Sequence, residues 1–70
     1  MVAAACGKLR AAMGPDWRGK TVTVTANGNR VSVKLVDWCG SADKLIDLYA
    51  APFSRLAPLS SGVVRVVVRW

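Results

Sequence analysis

The chain has 70 residues, which make one small domain whose core is marginal without a crosslink or a partner. Ten Lys and Arg stand against four Asp, with no His and no Glu, so the net charge is +6. Without His, the common zinc sites, Ser-His or Cys-His nucleophiles and imidazole acid–base catalysis are excluded within this chain. The positive charge suits nucleic acid, anionic cell-wall polymers or acidic membrane surfaces, and does not choose among them. No apolar run has the length of a membrane span.

The N-terminal stretch is small and apolar. The run Val2 to Cys6 predicts a short buried strand or the start of a helix, and Gly7 interrupts it. Residues 14–19 contain two glycines and a proline, which predict a turn. Trp17 lies inside that turn, where we expect it to cover the edge of the core.

A β-hairpin is the clearest element. Residues 21–25 alternate between Thr and Val, and residues 31–35 alternate between apolar and polar side chains. Asn27 and Gly28 between the two runs tolerate the positive φ of a tight turn. The valines should therefore point inward, and the threonines, Ser32 and Lys34 outward.

The second half predicts shorter elements. Residues 37–44 read as a loop, Leu45 to Leu48 as a short extended segment, and Ala50 to Ala57 as a short helix that Pro58 ends. Ser60, Ser61 and Gly62 form a turn. A final strand is predicted from Val63 to Trp70, with every second residue on one face.

The candidate site lies where the second hairpin strand ends. Asp37 stands there beside Trp38 and Cys39. A partly desolvated carboxylate next to an aromatic ring can act as an acid near neutral pH. The alternative is that Asp37 ends the strand by accepting hydrogen bonds from loop amides. For Asp47, just before the short helix, the structural interpretation is the stronger one: it accepts backbone N–H bonds near the first turn.

Two cysteines leave three possibilities open: a Cys6–Cys39 disulfide, two buried thiols, or one reactive thiol. A disulfide would imply an oxidising environment, while redox catalysis is disfavoured because there is no His and no CxxC spacing. The three tryptophans and Tyr49 could form a stacking surface for sugars or bases. No nucleic-acid motif and no phosphate-binding glycine loop accompanies them.

From Asn27 onward the sequence resembles expansin-like and rare-lipoprotein-A-like double-psi β-barrels. The ordered features that carry this likeness are Asn27-Gly28, Asp37-Trp38-Cys39, Asp47-Leu48, Phe53 to Leu56, Gly62 and Val63 to Trp70. The VAAAC segment is similar to the Ala-Ala-His segment of that family. The resemblance covers nearly the whole chain and implies a mainly β fold: a small six-stranded double-psi β-barrel with one short helix. The family's first strand is missing, so residues 1–70 would be a single, N-terminally abbreviated barrel.

The resemblance also implies a function, namely binding of peptidoglycan or a related wall glycan in a shallow groove. Asp37 would lie at its centre, with Trp38 and Tyr49 as sugar platforms and Asp47 nearby. An enzymatic alternative is a lytic transglycosylase with Asp37 as the catalytic acid and base. Cys6 and Leu45 stand where relatives carry histidines, which favours binding over catalysis. A third alternative is a structural module of a phage tail or another assembly.

The expected partners follow from these alternatives. They are a wall glycan and, for the barrel, another chain or an upstream segment that completes it. We expect no specific nucleic acid, no membrane span, no cofactor and no metal. The expected location is extracellular, periplasmic or virion-associated, although no signal peptide is visible in these residues.

Overall fold

A five-stranded mixed sheet dominates the computed structural model, which describes residues 1–70. Its strands are β1 (Val2–Ala5), β2 (Thr21–Ala26), β3 (Asn29–Trp38), β4 (Ile46–Leu48) and β5 (Val67–Arg69). Two short helices, α1 (Gly7–Met13) and α2 (Ala50–Leu56), and a 3₁₀ turn at Leu59–Ser61 complete the chain. The prediction of a mainly β protein is confirmed, with two helices where one was expected.

The strand order is β4-β1-β3-β2-β5, with β1 parallel to β3 and the other pairs antiparallel. The sheet curls into a half-barrel, so that residues beside β4 and residues just before β5 line one groove. Each of these two edge strands has a neighbour on one side only. The fold therefore has two free sheet edges.

The predicted hairpin is confirmed in detail. Strands β2 and β3 pair from Thr21–Lys34 to Ala26–Asn29, around a two-residue turn in which Asn27 has φ 53° and Gly28 has φ 77°. The inward-facing side chains of both strands are buried: Val22, Val24, Val31, Val33 and Leu35. The strand continues one residue beyond Asp37, to Trp38.

Helix α1 was not predicted, because Gly7 was interpreted only as the end of the preceding run. The residues after Gly7 are mostly good helix formers, and the N–H of Arg10 donates to the carbonyl of Cys6 at 3.0 Å. Leu9 is buried and Met13, one turn later, packs against the core. Gly14, with φ 86°, ends the helix. Trp17 packs against the core cluster, as expected.

The last strand is shorter than predicted. Only Val67–Arg69 pairs with β2, although alternate residues back to Val64 remain half-buried. Val67 faces Thr25, one residue before β2 ends at Ala26. Residues 63–66 lie outside the paired segment and line the groove described below.

The core is small, with 14 of the 70 residues buried. Its side chains come mainly from β1, β2 and β3, with Leu9 of α1 and Leu56 of α2 added. A core of this size leaves much of the stability to other constraints, of which the Cys6–Cys39 disulfide is the clearest. Neither helix is long or apolar enough to cross a membrane.

Candidate functional site: the anchored loop

The connection between β3 and β4 is an exposed loop, residues 39–45, which we call the anchored loop. Its first residue, Cys39, forms a disulfide with Cys6, with 4.4 Å between the two Cα atoms. Of the three possibilities left open by the sequence, the disulfide is the one present, and neither cysteine is free. A disulfide is consistent with an oxidising, extracellular environment.

Backbone hydrogen bonds hold both ends of the anchored loop against the junction of β1 and α1. The N–H of Cys39 donates to the carbonyl of Ala5 at 2.9 Å, and the N–H of Cys6 donates to the carbonyl of Leu45 at 3.0 Å. The loop thus leaves and returns at neighbouring points, so only its middle is free to project.

The Arg10 side chain reinforces this attachment. Its Nη1 donates to the carbonyl of Ala5 at 2.9 Å and to the carbonyl of Cys39 at 3.0 Å. The same guanidinium lies 5.5 Å from the centre of the Trp38 ring. One side chain therefore ties β1, the start of the loop and the exposed tryptophan together, with hydrogen bonds from a charged donor.

Within the loop, Ser41 organises the turn. Its Oγ accepts hydrogen bonds from the N–H groups of Asp43 and Lys44, each at 3.3 Å. Four of the residues around it are exposed: Gly40, Ala42, Asp43 and Lys44. The loop is therefore held internally as well as at its ends, while its polar side chains point to solvent.

Asp37 and Trp38 lie directly before the loop and are both exposed, Trp38 to 58%. The Asp37 carboxylate accepts a hydrogen bond from the N–H of Trp38 at 2.8 Å. This contact lies within β3, which continues to Trp38, and so differs from the bonds to loop amides considered for Asp37 from the sequence. The fold thus gathers Asp37, Trp38 and both cysteines at one end of the sheet.

A groove of about 480 Å³ lies between residues 43–48, which include the last part of the anchored loop, and residues 62–66, with Phe53 and Leu56 also lining it. Of the predicted site residues, Asp47 lines this groove, whereas Asp37, Trp38 and Tyr49 do not. The predicted single site is therefore divided between two places. No group of three or more Cys, Asp or Glu side chains is placed to hold a metal ion.

Asp47 does not have the capping role predicted for it. It lies within β4, and the N-cap position of α2 is occupied by Tyr49, with no side-chain cap hydrogen bond. The strand alternation turns Asp47 outward, and two residues separate it from the first turn of α2. Tyr49 is 44% exposed.

Arg10 is the residue of this site that the sequence interpretation missed. Its role depends on α1, which carries it over the start of the loop. A signal was available in the sequence: the helix-forming run from Lys8 to Met13, followed by Gly14, is typical of a short helix with a glycine C-cap.

Comparison with known proteins finds one informative similarity. The chain is 47% identical over 51 residues to the Papain inhibitor of Streptomyces mobaraensis, covering 71% of this chain and 36% of that protein. The chain thus spans little more than a third of the length of the curated relative it matches. No protein-family profile matches the chain, and no solved structure matches it.

The matched part must contain the anchored loop. A continuous alignment covering 71% of the chain leaves about 20 residues outside it at the two ends together. Residues 21–50 therefore lie inside the match wherever it begins. Those residues include the hairpin, Trp38, the whole anchored loop and β4.

Proposed function

We propose that this protein inhibits cysteine peptidases of the papain type. The observation that carries the proposal is the 47% identity to a papain inhibitor over 51 residues. The match includes the central hairpin and the anchored loop, so both segments have counterparts in that inhibitor. Because the chain spans 36% of that relative, the activity of the shorter chain needs its own test.

The anchored loop with Trp38 is the proposed contact surface. An inhibitor gains affinity when its contact segment is already held in the bound conformation, because less conformational entropy is lost on binding. The disulfide, the Arg10 hydrogen bonds and the Ser41 turn hold this loop. Trp38 adds a large exposed ring, and tryptophan is enriched among residues that dominate binding energy.

The test is inhibition of papain measured with a fluorogenic peptide substrate across a titration of the protein. Papain is activated with thiol and desalted beforehand, so that no reductant reaches the Cys6–Cys39 disulfide. We expect dose-dependent inhibition of papain and none of trypsin, a serine peptidase. Full papain activity at a protein concentration of about 100 μM would reject the proposal, since that leaves a Kd weaker than about 0.1 mM.

A matched pair of tryptophan variants locates the surface. Trp38→Ala should weaken inhibition about 30-fold, the effect of losing a contact worth about 2 kcal/mol. Trp70→Ala removes a similarly exposed ring, 62% against 58%, away from the loop, and should leave inhibition unchanged. Equal effects of both variants would show that the anchored loop is not the contact surface, but would not contradict inhibition itself.

For the fold, we infer that the half-barrel belongs to the double-psi class named by the sequence resemblance. Supporting this are the parallel β1–β3 pair at the centre, the curled sheet and the open groove between β4 and residues 62–66. The free edges of β4 and β5 support completion of the barrel by another chain or segment, as in a module of a larger assembly. A stable monomer in sedimentation at micromolar concentration, with both edges slow in amide exchange, would argue against completion.

Glycan binding is a second proposal, favoured by the Asp37–Trp38 pair. Arg10 lies near the Trp38 ring, and the ring's 58% exposure leaves area on which a sugar can stack. Retention on purified peptidoglycan should be lost in Trp38→Ala and Asp37→Asn. Retention that neither variant changes argues against the proposal. For the transglycosylase form, muropeptide release must depend on Asp37.

A further inference from the structure

The outer face of the sheet carries a second feature, on the side opposite the core. Here a shallow depression of about 220 Å³ is lined by Thr23, Thr25, Arg30, Val67 and Arg69. These side chains come from β2, β3 and β5, the antiparallel half of the sheet. The depression is separate from both the anchored loop and the larger groove.

Strand register brings the two arginines to opposite sides of β2. Arg69 pairs with Thr23 and Arg30 pairs with Thr25, so Thr23 and Thr25 lie between the two arginines in the sheet. Two strand spacings and a two-residue step place the arginine Cα atoms about 12 Å apart. Because both side chains line the same depression, an anion lying in it is within reach of either one.

No acidic side chain offsets this pair. Asp37, Asp43 and Asp47 lie at the end of β3, in the anchored loop and in β4, and Asp16 lies in the turn after α1. Neither Arg30 nor Arg69 donates a side-chain hydrogen bond, whereas Arg10 and Arg18 bind backbone carbonyls. The donors of the depression are therefore available for a ligand.

We propose that this depression binds a phosphate or sulfate group carried on a repeating anionic polymer. The oxygens of a tetrahedral sulfate or phosphate group point in different directions, so the arginine forks at the sides and the two hydroxyls beneath can engage them together. The two oxygens of a carboxylate lie in one plane, which leaves part of this donor set unused. The depression thus fits phosphate or sulfate better than a carboxylate.

We infer a polymer and not a single anion because this face of the sheet is open to solvent. A single exposed anion gains little, because water and salt screen each contact. Lys34 lies on the same outer face of β3, four residues and about 13 Å from Arg30, so a chain bearing several charges can contact all three cations. No aromatic side chain lines the depression, and base stacking needs such rings, so a polymer without bases fits better than nucleic acid.

The experiment measures binding of fluorescein-labelled polyphosphate and heparin by anisotropy, with unlabelled inorganic phosphate and single-stranded DNA as competitors. At about 50 mM salt, Arg30→Ala and Arg69→Ala should each weaken polymer binding five- to tenfold and reduce the slope of log K against log salt by about one. Arg55→Ala is the matched control: it removes the same charge from an exposed position on α2 and should change binding less than twofold.

The two labelled polymers also distinguish a phosphate ligand from a sulfate ligand. Preference for polyphosphate or for heparin assigns phosphate or sulfate, and either supports the proposal. Equal losses in Arg55→Ala would show diffuse charge attraction and overturn it. The proposal would also be overturned if inorganic phosphate displaced polyphosphate when both are at the same total concentration of phosphate groups. Tighter binding of DNA, with the same loss in Arg30→Ala and Arg69→Ala, would overturn it as well. Papain inhibition is measured on the same variants, so failure here is separate from failure of the inhibitor proposal.

Discussion

Opening the Cys6–Cys39 disulfide should cost this protein a large part of its stability. The two cysteines are 33 positions apart, and in the chain-entropy model a crosslink of that separation stabilises the folded state by about 3–4 kcal/mol. The effect is large relative to the whole because only 14 of 70 residues are buried. The bridge also fixes the start of the anchored loop to α1.

That free energy corresponds to a measurable shift in melting temperature. Unfolding entropy of about 2.1 cal/mol/K per residue gives about 150 cal/mol/K for 70 residues, so each kcal/mol moves the Tm by about 7 °C. Loss of the disulfide should therefore lower the Tm by about 20–28 °C. In a domain of this size, that drop can leave the reduced chain unfolded at 25 °C.

The assay is thermal unfolding by circular dichroism, with and without a phosphine reductant. The control is the double variant Cys6→Ala, Cys39→Ala, which should melt near the reduced protein and show no further response to reductant. A Tm lowered by less than about 5 °C on full reduction would refute the reasoning, because it would leave less than about 1 kcal/mol for the crosslink.

Three further changes test the core, the hairpin and the loop. Leu35→Ala should lower the free energy of unfolding, measured in urea, by about 2–5 kcal/mol, because Leu35 is fully buried. Leu59→Ala, at a 58% exposed position, should change it by less than about 0.5 kcal/mol. Equal effects would contradict the assigned core. Gly28→Ala, at φ 77°, should cost about 1 kcal/mol in the same assay, and a neutral result would mean that the turn is wrong. Arg10→Ala should speed amide hydrogen exchange across residues 39–45 about tenfold or more, while unchanged exchange would show that the guanidinium does not hold the loop.

Local patterns were sufficient for the hairpin, β4, α2 and the turns. The Thr-Val alternation indicates a strand and its buried face, and Asn27-Gly28 directly after it indicates the turn type. For α2, Pro52 lies in the first turn, where proline is tolerated, and Pro58 follows the C-cap, so local propensity can detect both ends. Only α1 was missed, because a glycine can both interrupt a strand and stand at the start of a helix.

The candidate site was only partly predictable. Asp37, Trp38 and Cys39 are adjacent in the chain, so their proximity needed no fold. Whether Asp47 and Tyr49 join them depends on how the sheet curls, and the curl places Asp47 in the larger groove instead. The contacts of Arg10 and the proximity of Arg30 to Arg69 could not be assigned from the sequence. The Cys39 carbonyl that Arg10 binds and the strand β5 that carries Arg69 come from distant segments.

The sequence by itself determined the mainly β character, the hairpin register, the exclusion of histidine chemistry and the strongly positive charge. These properties follow from composition and from side-chain patterns that repeat every two residues, both of which can be seen without knowing the fold. Tertiary structure decided that Cys6 and Cys39 are bonded, that the last strand pairs over only three residues, and that Arg30 and Arg69 line one depression. Each depends on strand order and register, since a β-sheet joins residues far apart in the chain and local propensity carries no information about which strands become neighbours.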